Sequence, residues 1–338
     1  MKRQIVAIAS AVALLVSMTA VCATAQAART IRLSFTVASG STWDMGAQKF
    51  KQLVEERSQG KMKVEVYPNG MLVSGNDRVE MEMTQAGAVD IALKSNIWLT
   101  QLDKRFYATT LPFLFRDANM AINVLEGPVG QAIAKDLEAK TGMKILAWGD
   151  GSFFQVYTNK GPVTSPANLK GVKLRVPGNE VFLNAFRSME AVPVSMSFGE
   201  VFPALQSGAI DGGASPIPLI YSSKFYEVSK YIAINNMVFE GIGVVVGAPF
   251  WSSLDADEQA LITKAADDAM AYQREQAAHT DDKIIADMRA KGINIVELTP
   301  EQIAVFKDSV KAVYDAAPKA YGEEFVKSLF EEVARLSK

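Results

Sequence analysis

The side chain most easily given a chemical task is Arg175, within Leu169-Lys-Gly-Val-Lys-Leu-Arg-Val-Pro-Gly178. Gly171 and Pro177-Gly178 bound a short strand-like run. Leu174 and Val176 alternate with the arginine, so they are expected to face a core while the guanidinium stands off the opposite face. Held that way, a guanidinium is a rigid two-pronged donor whose geometry matches a carboxylate. The bland alternative is a solvated surface charge, and the rest of the residue inventory decides between them.

That inventory is poor in catalytic groups. A Ser-His-Asp or Cys-His mechanism needs a histidine, and the single one, His279, lies between Ala278 and Thr280 in a helical stretch. No run of His, Cys or Asp has metal-ligand spacing. No Gly-x-Gly-x-x-Gly or P-loop occurs, and Gly149-Asp-Gly151 and Gly212-Gly213 are too short to cradle a phosphate. No cofactor is implied. With 37 acidic residues some carboxylate pair is always available, but no spacing marks one as a hydrolytic site. Binding is favoured over catalysis.

The chain of 338 residues begins as an exported protein does. Met1-Lys-Arg is basic, Ile5 to Val21 is mostly apolar, and Ala25-Gln-Ala27 has small residues at the cleavage positions, the pattern of a secretory signal peptide. Cys22 follows Val21 rather than a small residue, which argues against a lipid anchor. Cleavage after Ala27 would leave 311 residues without cysteine, carrying 33 bases and 37 acids, net −4. Thiol chemistry is thereby excluded, and a nucleic-acid partner is disfavoured because it would want a basic face. The length suits about two lobes.

Two βαβαβ patterns position the arginine. Ile31–Val37, Met62–Tyr67 and Ile91–Ser95 read as strands, separated by helices over about 43–58 (buried face Met45, Phe50, Leu53, Val54) and 77–86. The second unit runs from the arginine strand through a helix over 180–188, a strand Ala191–Val194, a helix 198–207 and a strand Ile210–Gly213. Between them lie two helices (118–125 and 129–141) and strands 143–148 and 154–158. Gly149-Asp-Gly151 separates that pair as a flexible break and the first crossing between lobes. Met237–Val246 carries the chain back. A helix capped by Asp255-Ala-Asp-Glu258 then has no breaker before Gly292, roughly 55 Å at 1.5 Å per residue. A second capping box, Thr299-Pro-Glu-Gln302, starts the penultimate helix, and the last spans about 323–336. Ligands of such sheets sit beyond the carboxyl ends of the strands, here near Trp43, Tyr67 and Ser95–Trp98.

Taken together, several segments resemble one family, the DctP-type solute-binding proteins of tripartite ATP-independent periplasmic (TRAP) transporters. They are Val54-Glu-Glu-Arg-Ser-Gln-Gly60 leading to Val64-Glu-Val-Tyr-Pro68, Leu111-Pro-Phe-Leu-Phe115, and the Leu169–Gly178 segment. Glu200-Val-Phe-Pro-Ala-Leu-Gln-Ser-Gly208 with Ile210-Asp-Gly212, and Lys224-Phe-Tyr-Glu-Val228 with Tyr231, follow in the family's order. The resemblance implies a two-lobed α/β periplasmic-binding-protein fold (type II-like) with a long helix spanning both lobes. Lobe I would be 28–151 plus about 238–280, lobe II 152–237 plus about 281–338, and they would close on a small organic acid. Its implied partners are the small and large membrane permease subunits, its implied location the periplasm, and a monomer suffices for one closing cleft. Feeding a sensor kinase or an ABC importer is the alternative, and an exported enzyme on the same fold a more distant one.

Arg175 matches the family's carboxylate-pairing arginine. Two departures bear on the ligand. Asp211-Gly-Gly-Ala-Ser-Pro216 puts Ser215 where many members have a ligand-contacting asparagine, and Phe153-Phe-Gln155 precedes Thr158-Asn159 where many carry a second arginine. One cation fewer points away from dicarboxylates and acidic sugars, toward a monocarboxylate with an apolar or aromatic part. Trp43, Trp98, Phe154, Phe198 and Phe239 are candidate walls of the cleft, with Ser95, Asn96, Gln155, Ser215 and Asn236 as candidate polar contacts.

Overall fold

A computed structural model describes residues 28–337; the signal-peptide segment and Cys22 lie outside the described residues. Ten strands form one continuous sheet along the path β2-β1-β3-β9-β4-β7-β5-β6, with β8 on β4 and β10 on β8. They are β1 (Arg29–Ser34), β2 (Met62–Tyr67), β3 (Ile91–Ser95), β4 (Lys144–Thr158), β5 (Lys173–Val176), β6 (Val192–Ser195), β7 (Gly212–Pro216), β8 (Tyr231–Ile234), β9 (Phe239–Val246) and β10 (Asn294–Glu297). Parallel pairing of β1 with β2 and β3, and of β5 with β6 and β7, makes each lobe a small crossover sheet. The lobes are joined through β4, which pairs with β9 up to Phe153 and with β7 and β8 from Phe154 onward.

The helices that cover these sheets begin where capping side chains allow. Ser41 accepts from the Asp44 amide at the start of Thr42–Arg57, and Asn76 accepts from the Arg78 and Val79 amides at the start of Asp77–Ala86. Phe50 and Val54 are buried as expected, but Met45 is 37% exposed. Gly46 and Ala47 take the inward positions beside it instead. Both expected capping boxes form, Asp255 with Glu258 and Thr299 with Gln302. The second one starts the third helix from the end, because the C-terminal region divides into Pro300–Ser309, Lys311–Tyr321 and Glu323–Leu336. The last two of these pack on 104–141, where Tyr321 stacks on Tyr107 at 5.4 Å and the Tyr314 hydroxyl donates to the Pro112 carbonyl at 2.7 Å.

Three expectations are corrected. The two strands 143–148 and 154–158 are one strand of 15 residues, β4, with register shifts between Ile145 and Trp148 and between Asp150 and Phe153. Its glycines serve close approach rather than a break: a Cβ at Gly149 would lie 2.6 Å from Gln273 Oε1, and one at Gly151 2.8 Å from Glu240 Cγ. Likewise Gly212 and Gly213 begin β7 instead of ending a strand, since β7 and β4 meet too closely there for side chains.

The third correction concerns the spanning helix. It is two helices, Ala256–Ala277 and Thr280–Ala290, broken at Ala278–His279, with His279 exposed at the break as a solvated residue. The first packs on Thr42–Arg57 and β4, the second on Ile217–Ser222, so each half follows its own lobe. Contacts with the β4 crossing pin both sides of the break. The Gln273 amide donates to the Asp150 carbonyl at 2.7 Å while its oxygen accepts from the Asp150 amide at 2.8 Å, and the Ser152 hydroxyl donates to Asp281. No glycine or proline announces this break, because tertiary contacts make it.

Gly212 supplies a test of the close β4–β7 approach. A Cβ there would lie 2.1 Å from the Tyr157 carbonyl oxygen and 2.7 Å from Thr158 Cα, both backbone atoms that cannot rotate away. Gly212→Ala is expected to lower unfolding stability by about 2–3 kcal/mol, as overpacking of a core does, measured by chemical denaturation. An unchanged midpoint would contradict this account.

Candidate functional site

Arg175 lies on β5, flanked on both sides by parallel strands, and is only 2% exposed. Leu174 and Val176 are buried too, so all three residues are inside; the arginine faces a cavity between lobes rather than solvent. One edge of its guanidinium is held by protein: Nε and Nη2 donate to the Met196 carbonyl at 3.3 and 3.1 Å, and the group lies 5.7 Å from the Phe198 ring centroid. Among the described residues no carboxylate lies within 4.0 Å of it. Burial pulls its pKa down from the ordinary 12.5, with Tyr157, Asp77 and Glu240 acting in the other direction. This is a cation largely stripped of water and left without a counter-ion, with Nη1 unoccupied by any acceptor among the described residues.

The cavity around it draws on both lobes. From the β5–β7 side come Arg175, Pro177, Phe198, Ser215, Leu219 and Phe154 at the crossing; from the β1–β3 side come Thr36, Val37, Trp43, Asp77, Ser95, Ile97 and Trp98, with Glu240 on β9. The space left is small, ≈ 30 Å³ at water-centre positions, where one water needs about 10–15 Å³. Asp77 and Trp98 stand at its edge, shared with an adjoining pocket of ≈ 400 Å³. Beside it the Gln101 side chain donates to the Gly178 carbonyl at 2.9 Å, a contact between lobes.

An ionic network fixes the β1–β3 side. Lys94, fully buried on β3, donates to Asp77 Oδ1 at 2.5 Å and Glu80 Oε2 at 2.6 Å. Burial alone would lower its pKa, but the two carboxylates outweigh that and hold it above the ordinary 10.5. The Ser34 hydroxyl completes Glu80 at 2.6 Å, and that of Thr36 donates to Asp77 Oδ1 at 2.8 Å. Glu240 has no such cation: burial, aided by Asp77 and Asp150 and opposed by Ser95 and Arg175, pushes its pKa up to about 8.

Seven of the residues singled out from sequence therefore border the cavity: Arg175, Ser215, Phe154, Trp43, Ser95, Trp98 and Phe198. Four are placed elsewhere. Gln155 and Asn236 bind each other at 2.6 Å, and Gln155 Oε1 accepts from the Asn235 and Asn236 amides, so this pair ties the β8–β9 connection to β4. Asn96 accepts from the Gly241 amide and reaches Thr109. Phe239 packs edge-on against Phe115 and Phe153 in the core. Asp77 and Glu240 went unnoticed in the sequence, although a lone acid in Phe239-Glu-Gly-Ile-Gly-Val-Val-Val246 is itself a signal, since burying a charge is costly. Lys94 in Ile91-Ala-Leu-Lys-Ser95 is another.

Two α/β lobes around a small cation-bearing cavity define the architecture of a periplasmic binding protein. The family model described as bacterial extracellular solute-binding protein, family 7 (DctP) matches residues 33–320, and the chain belongs to that family, the solute-binding proteins of TRAP transporters. It is 30% identical to the 2,3-diketo-L-gulonate-binding periplasmic protein YiaO of Escherichia coli (strain K12), over 80% of this chain and 81% of that protein. It is 31% identical to the C4-dicarboxylate-binding periplasmic protein DctP of Rhodobacter capsulatus, over 88% of each. The crystal structure of the sugar acid binding protein DctPAm from Advenella mimigardefordensis strain DPN7T, in complex with galactonate, is similar with a TM-score of 0.87 at 28% identity, over 91% of this chain and 98% of that one.

The Glu240 carboxyl gives a pH prediction. Raised from the ordinary 4.5 to about 8, it holds its proton more tightly folded than unfolded. Its stabilising share is complete below about pH 4.5 and is lost as pH rises through about 8. Glu240→Gln removes that titration while leaving Asp281, raised to about 6 by burial, in place. The melting temperature of the variant should fall less between pH 5 and pH 8 than that of wild type; parallel profiles would refute the assignment.

Proposed function

We propose that this chain is an exported binding protein that captures a small organic acid between its lobes and delivers it to the two membrane subunits of a TRAP permease. Membership of a family whose named relatives are periplasmic carboxylate- and sugar-acid-binding proteins supports the class. The observation that carries the reading is Arg175, buried in the inter-lobe cavity without a counter-ion and with one edge free. A ligand carboxylate supplies the missing charge. Two charge-assisted hydrogen bonds of about 1.5–3 kcal/mol each would be a large share of the roughly 8 kcal/mol that micromolar affinity requires.

Closure follows from the lining. Ligand bound to Arg175 on one lobe and touching the other favours the closed state of a pre-existing equilibrium. In this proposal the body built from 28–151 and about 238–280, with Lys311–Leu336 packed on its 104–141 segment, approaches the one built from 152–237 and about 281–310, bending at the β4 crossing and the Asn235–Val238 connection. Ser152 and Asn236, one on each connection, have φ of +74° and +47°. As an exported protein it acts in the periplasm, as a monomer with one cleft, and binds rather than transforms its ligand.

For the ligand we propose a monocarboxylate with an apolar portion. Arg175 is the one basic side chain bordering the cavity among the described residues, while Val37, Ile97, Phe154, Phe198 and Leu219 supply apolar walls. A second carboxylate would find no cation to receive it.

The test is a thermal-shift screen of the mature protein, freed of carried-over ligand, against small acids and uncharged analogues, followed by calorimetry on variants. Ligand that binds only the folded state raises the melting temperature by mass action. Arg175→Ala is expected to weaken binding of any acid found by about 100-fold or more, and Arg175→Lys, which loses the fork geometry, by at least about tenfold. Both should remain folded by circular dichroism. Normal affinity in either variant would sink the proposal.

A further inference from the structure

Where the chain crosses between lobes it carries acids for which ligand capture has no use. Asp150 lies on β4 at the end of the first body, and Asp281 lies on Thr280–Ala290, the half-helix that packs on Ile217–Ser222 of the second. Ser152 joins them. Its φ of +74° is uncommon for a residue other than glycine. In that conformation its N–H donates to Asp150 Oδ1 at 2.7 Å and its hydroxyl donates to Asp281. Both carboxylates are half-buried. Among the described residues, neither has a basic group within 4.0 Å.

The surrounding elements do not neutralise this pair. On Ala256–Ala277, Arg274 acts on Asp150 but is shared with Glu126 and the Trp148 carbonyl. On β9, Glu240 lies so close to Gly151 that a Cβ there would meet its Cγ at 2.8 Å. On Ile217–Ser222, Tyr221 donates to Asp287, and on β10 Glu297 is engaged by Arg289. Asp282, on the same helix as Asp281, adds a further negative charge, and His279 is exposed at the helix break.

We propose that Asp150, Ser152 and Asp281 form a proton switch on lobe closure. A proton taken up by Asp281 from solvent favours the closed arrangement, and its loss favours parting of the lobes. The described arrangement is a closed one, since Gln101 reaches the Gly178 carbonyl across the rim. Closing presses two like charges together and removes water from both, whereas parting separates and rehydrates them. In the closed arrangement burial, aided by Asp150 and Asp282 and opposed by the Ser152 hydroxyl, pushes Asp281 up from the ordinary 3.8 to about 6. Burial also raises Asp150, against the Ser152 amide and Arg274. A carboxyl that holds its proton more tightly in the closed state drives closure as pH falls through about 6. With the ordinary value restored on parting, the closed-to-open ratio at pH 5 is about tenfold that at pH 7.5. The proposal rests on the lobe closure of the proposed function, but not on the identity of the ligand.

The experiment reads closure in ligand-free mature protein by the distance between two spin labels. The mature chain has no cysteine, so Gln52→Cys and Asn184→Cys, both exposed and on helices of opposite lobes, would carry the only labels. The expected result is a shift of population toward the shorter distance between pH 7.5 and pH 5. Glu240, raised to about 8, adds a response of its own, so the series is run in Glu240→Gln as well as in wild type. In that background Asp281→Asn should remove the remaining response and hold the low-pH ratio at pH 7.5, while His279→Gln should keep the response. Two further variants move the midpoint in opposite directions, which a merely structural role would not do. Ser152→Ala removes a hydrogen bond to the ionised form and raises the midpoint; Asp150→Asn removes a like charge and lowers it. Circular dichroism checks that each variant is folded. The inference is overturned if the populations do not change with pH, if Asp281→Asn keeps the response in the Glu240→Gln protein, or if His279→Gln abolishes it. Populations that move with an acid from the thermal-shift screen but not with pH would sink this inference and leave the binding reading standing. Populations that move with neither would remove lobe closure and the inference together.

Discussion

Taking a guanidinium out of water costs several kcal/mol unless an anion or a set of acceptors replaces the lost hydration. Arg175 receives only part of that replacement, a single backbone carbonyl at Met196 and an aromatic face at Phe198. The strands around it make the burial unavoidable, because β5 is paired on both edges and its neighbours Leu174 and Val176 are wholly inside. A closed cleft with an unneutralised cation is a state that an anionic ligand stabilises selectively. In the proposed function, ligand recognition and lobe closure are two aspects of one electrostatic deficit.

The opposite wall shows the complementary solution. Lys94 is buried as deeply as Arg175, yet it is met by Asp77 and Glu80, with Ser34 donating to Glu80 and Thr36 to Asp77 Oδ1. Such a network is rigid because each member is costly to leave unpaired. It holds the N-terminal turn of the Asp77–Ala86 helix at the cavity edge, so the first lobe offers the cavity a fixed surface. The lobes communicate through the bulged centre of β4, where Asp150 and Ser152 meet Gln273 and Asp281 on either side of the helix break. Side-chain packing at Gly149 and Gly151 is tight enough that only glycine fits without displacement.

Much of the scaffold was legible from pattern. Period-2 alternation located β1 and β2, capping residues located the starts of several helices, and Arg175 stood out because a cation between Leu174 and Val176 sits in an apolar setting. What pattern missed has a common cause. Local sequence cannot tell a glycine that breaks a strand from one that permits close approach, so β4 was divided and β7 displaced. Nor can it show that a helix with good formers at every position, as at Ala277-Ala278, is bent aside by tertiary contacts. The polar candidates fared similarly: Gln155 and Asn236 are the right type for ligand contact, but each satisfies the other. Asp77 and Glu240 are hard to read as site residues because acids at a helix start or within a strand are ordinarily solvated.

The measurement that bears most directly on the central claim is a crystal structure of the protein with an acid bound. Density is expected between the lobes, with a carboxylate oxygen within hydrogen-bond reach of the free edge of Arg175, about 2.7–2.9 Å, and the Met196 contact retained. An acid bound elsewhere, or in the cavity with its carboxylate turned away from Arg175, would contradict it.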